Sequence, residues 1–464
     1  MTNATNDLAV FASRLKYEQI PDAVIQKMKI SLLDSIGCAM AGINDPAAVR
    51  TYLGIRDHCL KSGGFIIGRG NAISEPEAIL INSMMCHAVE MDDLHKASKV
   101  HPGAVVAMGV FSMAFSGGFD GKQVLTAMTV GYETMIRLGE ALGTVSHRKK
   151  GWHATATCGA VAMAAAAGNL LGLSSDIIAN ALGLAACQSS GNMAFLANGA
   201  MTKRFQVGKS AQNGWLAMKL AAAGVTGSTK AIEYTDGGLL HLMSDDADVH
   251  RITEGLGLCF EAVDIGWKMY ACCGHTHQAI EAALSLRKEY SIRPEDIDFV
   301  EVLTYEVSGL DWGTCGKPQN AVEGQFNFPY VVATALIEGE VFLDQFSQKN
   351  LDRDDINDLA ERVIVRIDEQ STKEYPSVWS SEVIIHLRNG SILDRRSIGA
   401  KGDKDHPLNF NEAQNKFNAI TSNHLSETQR EQLGSFIAHL ENAVDLRKMY
   451  ELLITEERNN QDEI

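Results

Sequence analysis

The sequence predicts a mainly α protein: a large all-helical domain accompanied by a smaller α+β domain, with a pocket between them. Three observations predict it. Apolar residues recur at helical spacing through roughly the first 260 positions, and strict alternation replaces that spacing after about residue 295. The 464-residue chain is also 45% hydrophobic and only 21% charged, enough to bury a core larger than one lobe holds.

Taken in order, the elements follow from local signals. Pro21 opens an amphipathic helix through Met40, with Ile25, Met28, Leu32, Leu33 and Ile36 at helical spacing and Gly42 as its stop. Further helices are predicted over about 76–91, 103–116, 120–142, 155–171, 175–188 and 208–223. The run from Ala160 to Gly168 is almost entirely Ala and Gly, and small side chains let helices approach closely, which places this segment at the centre of the helical domain. Alternation then marks strands at Phe299 to Tyr305, Val363 to Ile367 and Val383 to Leu387, with Arg388-Asn389-Gly390 as a hairpin turn. A helix over about 320–338 lies between these strands. Helical spacing returns from Asn411 to Leu453, so the end of the chain is expected to rejoin the first domain. The expected division is 1–266 with 400–464 as the helical domain and 267–399 as the α+β domain, and the polar tail after Glu456 is expected to fray.

Composition excludes several function classes. A net charge of −16 disfavours nucleic acid and anionic membrane surfaces as partners, because both require a basic footprint. The opening Met1 to Asp7 has neither a basic nor an apolar leader region, and no stretch approaches the ~18 apolar residues of a membrane span, so the cytoplasm is the expected compartment. Nine cysteines, scattered apart from the pair Cys272-Cys273, show no disulfide framework and no paired zinc spacing. Nucleotide-binding glycine motifs and a GxSxG elbow are absent.

Four polar constellations stand out from the apolar, Ala/Gly-rich background: Glu90 to His95 running on to His101-Pro102-Gly103; Gly151-Trp152-His153; Thr202-Lys203-Arg204; and Lys268-Met269-Tyr270 with His275 and His277. Such groups are costly to bury unless they converge on one another or on a charged ligand, so the pattern points to an enzyme pocket for a small polyanion. Asp93, His95 and His101 have the residue types of a metal site but no rigid ligand spacing, and neither a metal nor another cofactor is expected. Gly199, Gly208 and Gly214, around Lys203-Arg204, suggest backbone approaching a ligand.

The ordered motifs His87-Ala88-x-Glu90-x-Asp92-Asp93, His101-Pro102-Gly103, Gly151-Trp152-His153-Ala154-Thr155, Thr202-Lys203-Arg204, Lys268-x-Tyr270-Ala271-Cys272-Cys273 and Gly324 to Tyr330 resemble the MmgE/PrpD family, from about residue 20 to at least 345. That family includes 2-methylcitrate dehydratase, cis-aconitate decarboxylase and iminodisuccinate epimerase. The resemblance implies the two-domain architecture and a site lined by Asp93, His101, His153, Lys203 and Lys268 as catalytic residues. Arg204, His277, Tyr270, Glu90, His95 and Cys273 are then the expected substrate contacts. Where some members carry Asp, Thr and His, this chain has Glu90, Leu94 and Cys273.

The expected function is a cofactor-independent lyase acting on a di- or tricarboxylate after removal of a proton next to a carboxylate. Lys203, Arg204 and Lys268 would meet the growing negative charge, and His101 and His153 would carry the proton, with Asp93 tuning one of them. An epimerase of a polycarboxylate is the alternative, and a non-catalytic carboxylate-binding homologue the third. A homodimer is the expected assembly.

Overall fold

Small side chains set the centre of the molecule. The computed structural model describes residues 3–143, 145–310 and 316–455 and is mainly helical. Its helical part comprises α1 (Ala4–Arg14), α2 (Asp22–Ala41), α3 (Pro46–Ile55), α4 (Glu75–Ala88), α5 (Met108–Gly117), α6 (Gly121–Ala141), α7 (Ala154–Leu170), α8 (Ser175–Ala186) and α9 (Thr202–Ala222). The Ala-rich α7 is buried from Thr155 to Gly168 and packs against α6, α8 and α9. α9 also packs against α4.

Two glycines permit these crossings. A Cβ on Gly214 would lie 2.4 Å from the Ala160 carbonyl oxygen, and one on Gly208 would lie 2.5 Å from that of Leu80. Both separations are far inside van der Waals contact, so α9 meets α7 and α4 at backbone distance. Gly208 and Gly214 therefore serve helix packing, which corrects their reading as backbone near a ligand. A second correction concerns the helix start. α9 opens at Thr202 rather than near 208, which puts Lys203 and Arg204 in its first turn instead of a preceding loop. Met201 stands at the N-cap and makes no side-chain cap bond, so the sequence carries no start signal there.

Other elements depart from expectation for equally local reasons. Residues Gly103–Ala107 wind as a π-helix before α5 begins. The helix expected over 320–338 is split into Ala321–Gln325 and a second helix from Phe328. Asn327 caps the second piece through Tyr330 N–H, and Pro329 fits its first turn. α1 and α3, and the helix α10 (His277–Tyr290), were not expected.

The described strands form three sheets, one of them a short antiparallel pair of Gly64–Ile66 with Gly70–Ile73. β1 (Asp93–Leu94) pairs antiparallel with β2 (Gly266–Trp267), a short clasp that carries residue 268 to the end of α4. β3 (Ile297–Thr304), β4 (Val363–Ile367), β5 (Ser380–Leu387) and β6 (Ile392–Ile398) make a four-stranded sheet in the order β4-β3-β5-β6. β3 runs parallel to β4 and antiparallel to β5, and β5 and β6 form the hairpin expected around Gly390, whose φ is 84°. α10 packs on β5 and β6, and α11 (Phe328–Glu338) packs on α10 and β4. α12 (Phe410–Thr421) returns to pack on α2, where Lys416 meets Asp34 at 2.6 Å. No helix among the described residues is long and apolar enough to cross a membrane. The tail after Glu456 lies outside the described residues.

The Gly214→Ala substitution tests the close crossing. Overpacking against the Ala160 carbonyl is expected to lower the unfolding free energy by about 1–3 kcal/mol, read as a lower urea midpoint at unchanged slope.

Candidate active site

The site is built where α4 ends. Beyond Ala88 the backbone turns through Glu90 at φ 55°, a left-handed conformation that costs free energy for a residue with a Cβ. Two cations hold Glu90 in that conformation. One carboxylate oxygen takes the ammonium of Lys203 from the first turn of α9, and the other takes that of Lys268, just past β2, at 3.1 Å. Lys203 also donates to His87 Nε2 at 2.9 Å, and His87 Nδ1 lies 2.6 Å from Asp92 Oδ2. Asp92 closes the ring, with Oδ1 3.7 Å from Lys268 Nζ and Oδ2 3.5 Å from His101 Nδ1. Glu90, Asp92, His87, Lys203 and Lys268 are all buried. Two ammonium groups and two carboxylates thus balance where an unpaired charge would cost several kcal/mol.

Proton affinities follow from this balance. Burial alone would raise Glu90 and Asp92, but Lys203 and Lys268 hold Glu90 well below the usual carboxylate range, and His87, His101 and Lys268 do the same for Asp92. Burial lowers Lys203, whereas for Lys268 the opposing pull of Glu90 and Asp92 outweighs burial and raises it. Burial pushes His101 down to about 3 against the pull of Asp92. His153 is pushed well below its ordinary range by burial and then by Lys203. Both imidazoles are therefore neutral near pH 7.

A cavity opens onto this cluster. Among the described residues its lining includes four cations, Lys99, Arg148, Lys203 and Lys268, against the single carboxylate of Glu90. Four imidazoles, His101, His147, His153 and His275, join them. His275 stacks on Trp379 at 4.3 Å between ring centres, and its Nδ1 meets Tyr305 Oη at 2.6 Å, so the α+β part contributes an aromatic wall.

The structure brings together His101, His153, Lys203, Lys268, Glu90 and Cys273, which all line the cavity. It does not bring the other expected residues there. The Asp93 carboxyl points behind the site, accepting from Gly103 N–H at 2.8 Å and meeting Tyr132 Oη at 2.7 Å. Its backbone carbonyl, not its carboxylate, takes His101 Nδ1 at 2.6 Å. Arg204 is turned to the Ala88 carbonyl at 2.8 Å and to Asp45. His95 bonds Ser98 at 2.9 Å, His277 packs on Tyr270, and the Tyr270 hydroxyl is committed to Glu281. Conversely, His87 and Asp92 at the heart of the cluster, and His275 on its wall, were part of the expected motifs and constellations but carried no expected catalytic or substrate-contact role. The short spacing His87-x4-Asp92 on either side of Glu90 is the signal that could have found them.

One feature suits a cation. Ligand atoms of His87, Asp92 and His101 all lie within 4.8 Å of one another. An ammonium already occupies that role, since Lys203 bonds His87 Nε2 and Lys268 sits beside Asp92. A divalent ion would have to be accommodated against two positive charges.

Comparison with known proteins places this geometry in context. Residues 6–252 match the MmgE/PrpD N-terminal domain and residues 270–442 the MmgE/PrpD C-terminal domain. The chain is 28% identical to a cis-aconitate decarboxylase of Aspergillus terreus (strain NIH 2624 / FGSC A1156), covering 97% of this chain and 96% of that protein. It is 24% identical to the cis-aconitate decarboxylases of Mus musculus and Homo sapiens, each over 98% of this chain and over 94% and 95% of those proteins.

Burial pushes Asp93 up to about 8, so the folded state holds its proton where the unfolded chain has lost it. A raised folded value contributes stability at low pH that is lost as pH climbs through about 8. Asp93→Asn mimics the protonated carboxyl, so thermal unfolding should show the variant gaining on the parent between roughly pH 4 and pH 8 and holding that gain above it. Its loss of turnover should fall well short of the ~10²–10⁴-fold expected on removing a proton-transfer group.

Proposed function

The chain belongs to the MmgE/PrpD family, and on that premise we propose that it is a cofactor-independent lyase that removes CO₂ from a small unsaturated tricarboxylate. The observation that carries this reading is the charge of the cavity. A chain of net charge −16 lines one pocket with four cationic side chains and a single carboxylate, an inversion that serves a polyanionic ligand. The cis-aconitate decarboxylases that align over nearly their whole length favour decarboxylation over dehydration or epimerisation.

The chemistry fits the residues. Lys203 and Lys268 hold carboxylates of the substrate while Lys99 and Arg148 screen its remaining charge at the wall. Loss of CO₂ breaks a carbon–carbon bond and leaves the electron pair on the carbon skeleton, conjugated with a retained carboxylate. Cations already oriented by Glu90 and Asp92 meet that charge without reorganising. The carbanion then takes a proton from an imidazole ring of the pocket. That ring is neutral in the empty pocket, takes up a proton from water once the substrate's carboxylates stand beside it, and regains one from water after each turnover. A dehydratase or epimerase would begin instead with proton removal by the same ring.

Incubation of purified enzyme with a panel of di- and tricarboxylates in D₂O, followed by proton NMR and CO₂ release, tests the reading. The expected result is CO₂ with an unsaturated dicarboxylate carrying one deuterium, unaffected by prior dialysis against a strong chelator. A stereoisomer of unchanged composition, a dehydrated product, or no turnover across the panel would overturn it.

A further inference from the structure

Gln206, one turn into α9, is not a cavity residue, yet its amide is clamped in a single orientation beside His153. Its Oε1 accepts from the backbone N–H of Asn192 at 2.9 Å, and its Nε2 donates to the carbonyl of the same Asn192 at 3.1 Å. Flipping the amide would set oxygen against oxygen and NH₂ against N–H, so the Asn192 backbone fixes which end is which. The second hydrogen on Nε2 then points to His153 Nδ1 at 2.9 Å. An N–H facing Nδ1 requires a lone pair there, which leaves the proton of the neutral ring on Nε2.

His101 is held the opposite way. Both neighbours of its Nδ1, the Asp93 carbonyl at 2.6 Å and Asp92 Oδ2 at 3.5 Å, can only accept. The neutral ring therefore keeps its proton on Nδ1 and presents a bare Nε2.

We propose that Gln206 is a positioning residue that locks His153 as a fixed hydrogen-bond donor, leaving His101 as the one ring of this pair that carries protons. This rests on the lyase reading above and divides its labour. His153 cannot give up Nε2–H without becoming an imidazolate, so it only donates a hydrogen bond to a substrate carboxylate or to the growing charge, as a neutral imidazole can. His101 takes a proton on Nε2, its imidazolium faces Asp92, and it delivers that proton to the carbanion, returning to the neutral Nδ1–H form. Lys203 and His87 disfavour a cation at both rings, but at His101 they are opposed by the facing carboxylate of Asp92. The clamp has its own room: a Cβ on Gly191, at φ 122°, would lie 3.1 Å from Gln206 Oε1.

The test separates this proposal from the function it rests on, because ring tautomers are read without substrate. Two-bond ¹H–¹⁵N spectra of the full chain labelled in histidine should show His153 as Nε2–H and His101 as Nδ1–H near neutral pH. Gln206→Glu, which turns the donor into an acceptor, should move the His153 proton to Nδ1. Gln206→Met, which offers neither, should leave it a mixture while the thermal midpoint reports the fold. If His153 carries Nδ1–H in the parent, or ignores both variants, the proposal falls even in an active lyase. In turnover, His153→Ala should cost about 10²–10³-fold and His153→Gln, which keeps an N–H donor, should recover most of that. His101→Gln should be as impaired as His101→Ala, about 10²–10⁴-fold, because an amide cannot carry a proton. Equal loss for His153→Gln and His153→Ala would overturn the assignment.

Discussion

Glu90 shared between two lysines is the constraint on which the site depends. Each lysine comes from a different part of the chain, Lys203 from α9 and Lys268 from beyond β2, and neither could be buried without a counter-charge. Their common partner sits in the left-handed turn that ends α4, so the ion pairs help to hold a backbone conformation that costs free energy for a residue with a Cβ. Replacing any one member would leave the others as uncompensated buried charge. The cavity thus lies over charge that is balanced at its floor, and Lys99 and Arg148 join its wall.

The fold's task is to bring those parts together and hold them. Close crossings at Gly208 and Gly214 fix α9 against α4 and α7, which sets the Lys203 ammonium against His87 on α4 and His153 at the start of α7. The β1–β2 clasp does the same for Lys268. α12 adds the third anchor, placing Lys416 on Asp34 and on the Met91 carbonyl directly behind the acid turn. A rigid, oriented charge array is what electrostatic stabilisation of a carbanion requires.

Much of this was legible in the sequence because period and composition report burial. Apart from α3 and the first turns of α9, the long helices between Asp22 and Ala222 and three of the four strands of the larger sheet follow from spacing alone. β6 escaped separate notice because only Leu393 of its apolar residues packs inward, whereas Ile392 and Ile398 are about 60% exposed. The convergence of His101, His153, Lys203 and Lys268 was readable from the cost of burying them apart. What spacing could not report was direction. Asp92 and Asp93 are adjacent and identical in type, but successive residues of the turn point oppositely, so one carboxylate joins the cluster and the other meets Tyr132. Arg204, beside Lys203 on the same helix turn, is rotated away to Asp45 for the same reason. Gln206 carries no motif at all and matters only through a loop, 191–193, that tertiary structure lays against His153.

The most direct measurement of the central claim is the position of an unreactive saturated tricarboxylate, propane-1,2,3-tricarboxylate, in a crystal of the full chain. One carboxylate is expected within hydrogen-bond distance of the Lys203 or Lys268 ammonium, with the carbon skeleton between the Nε2 atoms of His101 and His153. A tricarboxylate bound outside this cavity, or seated in it with both lysines still turned only to Glu90, would contradict it.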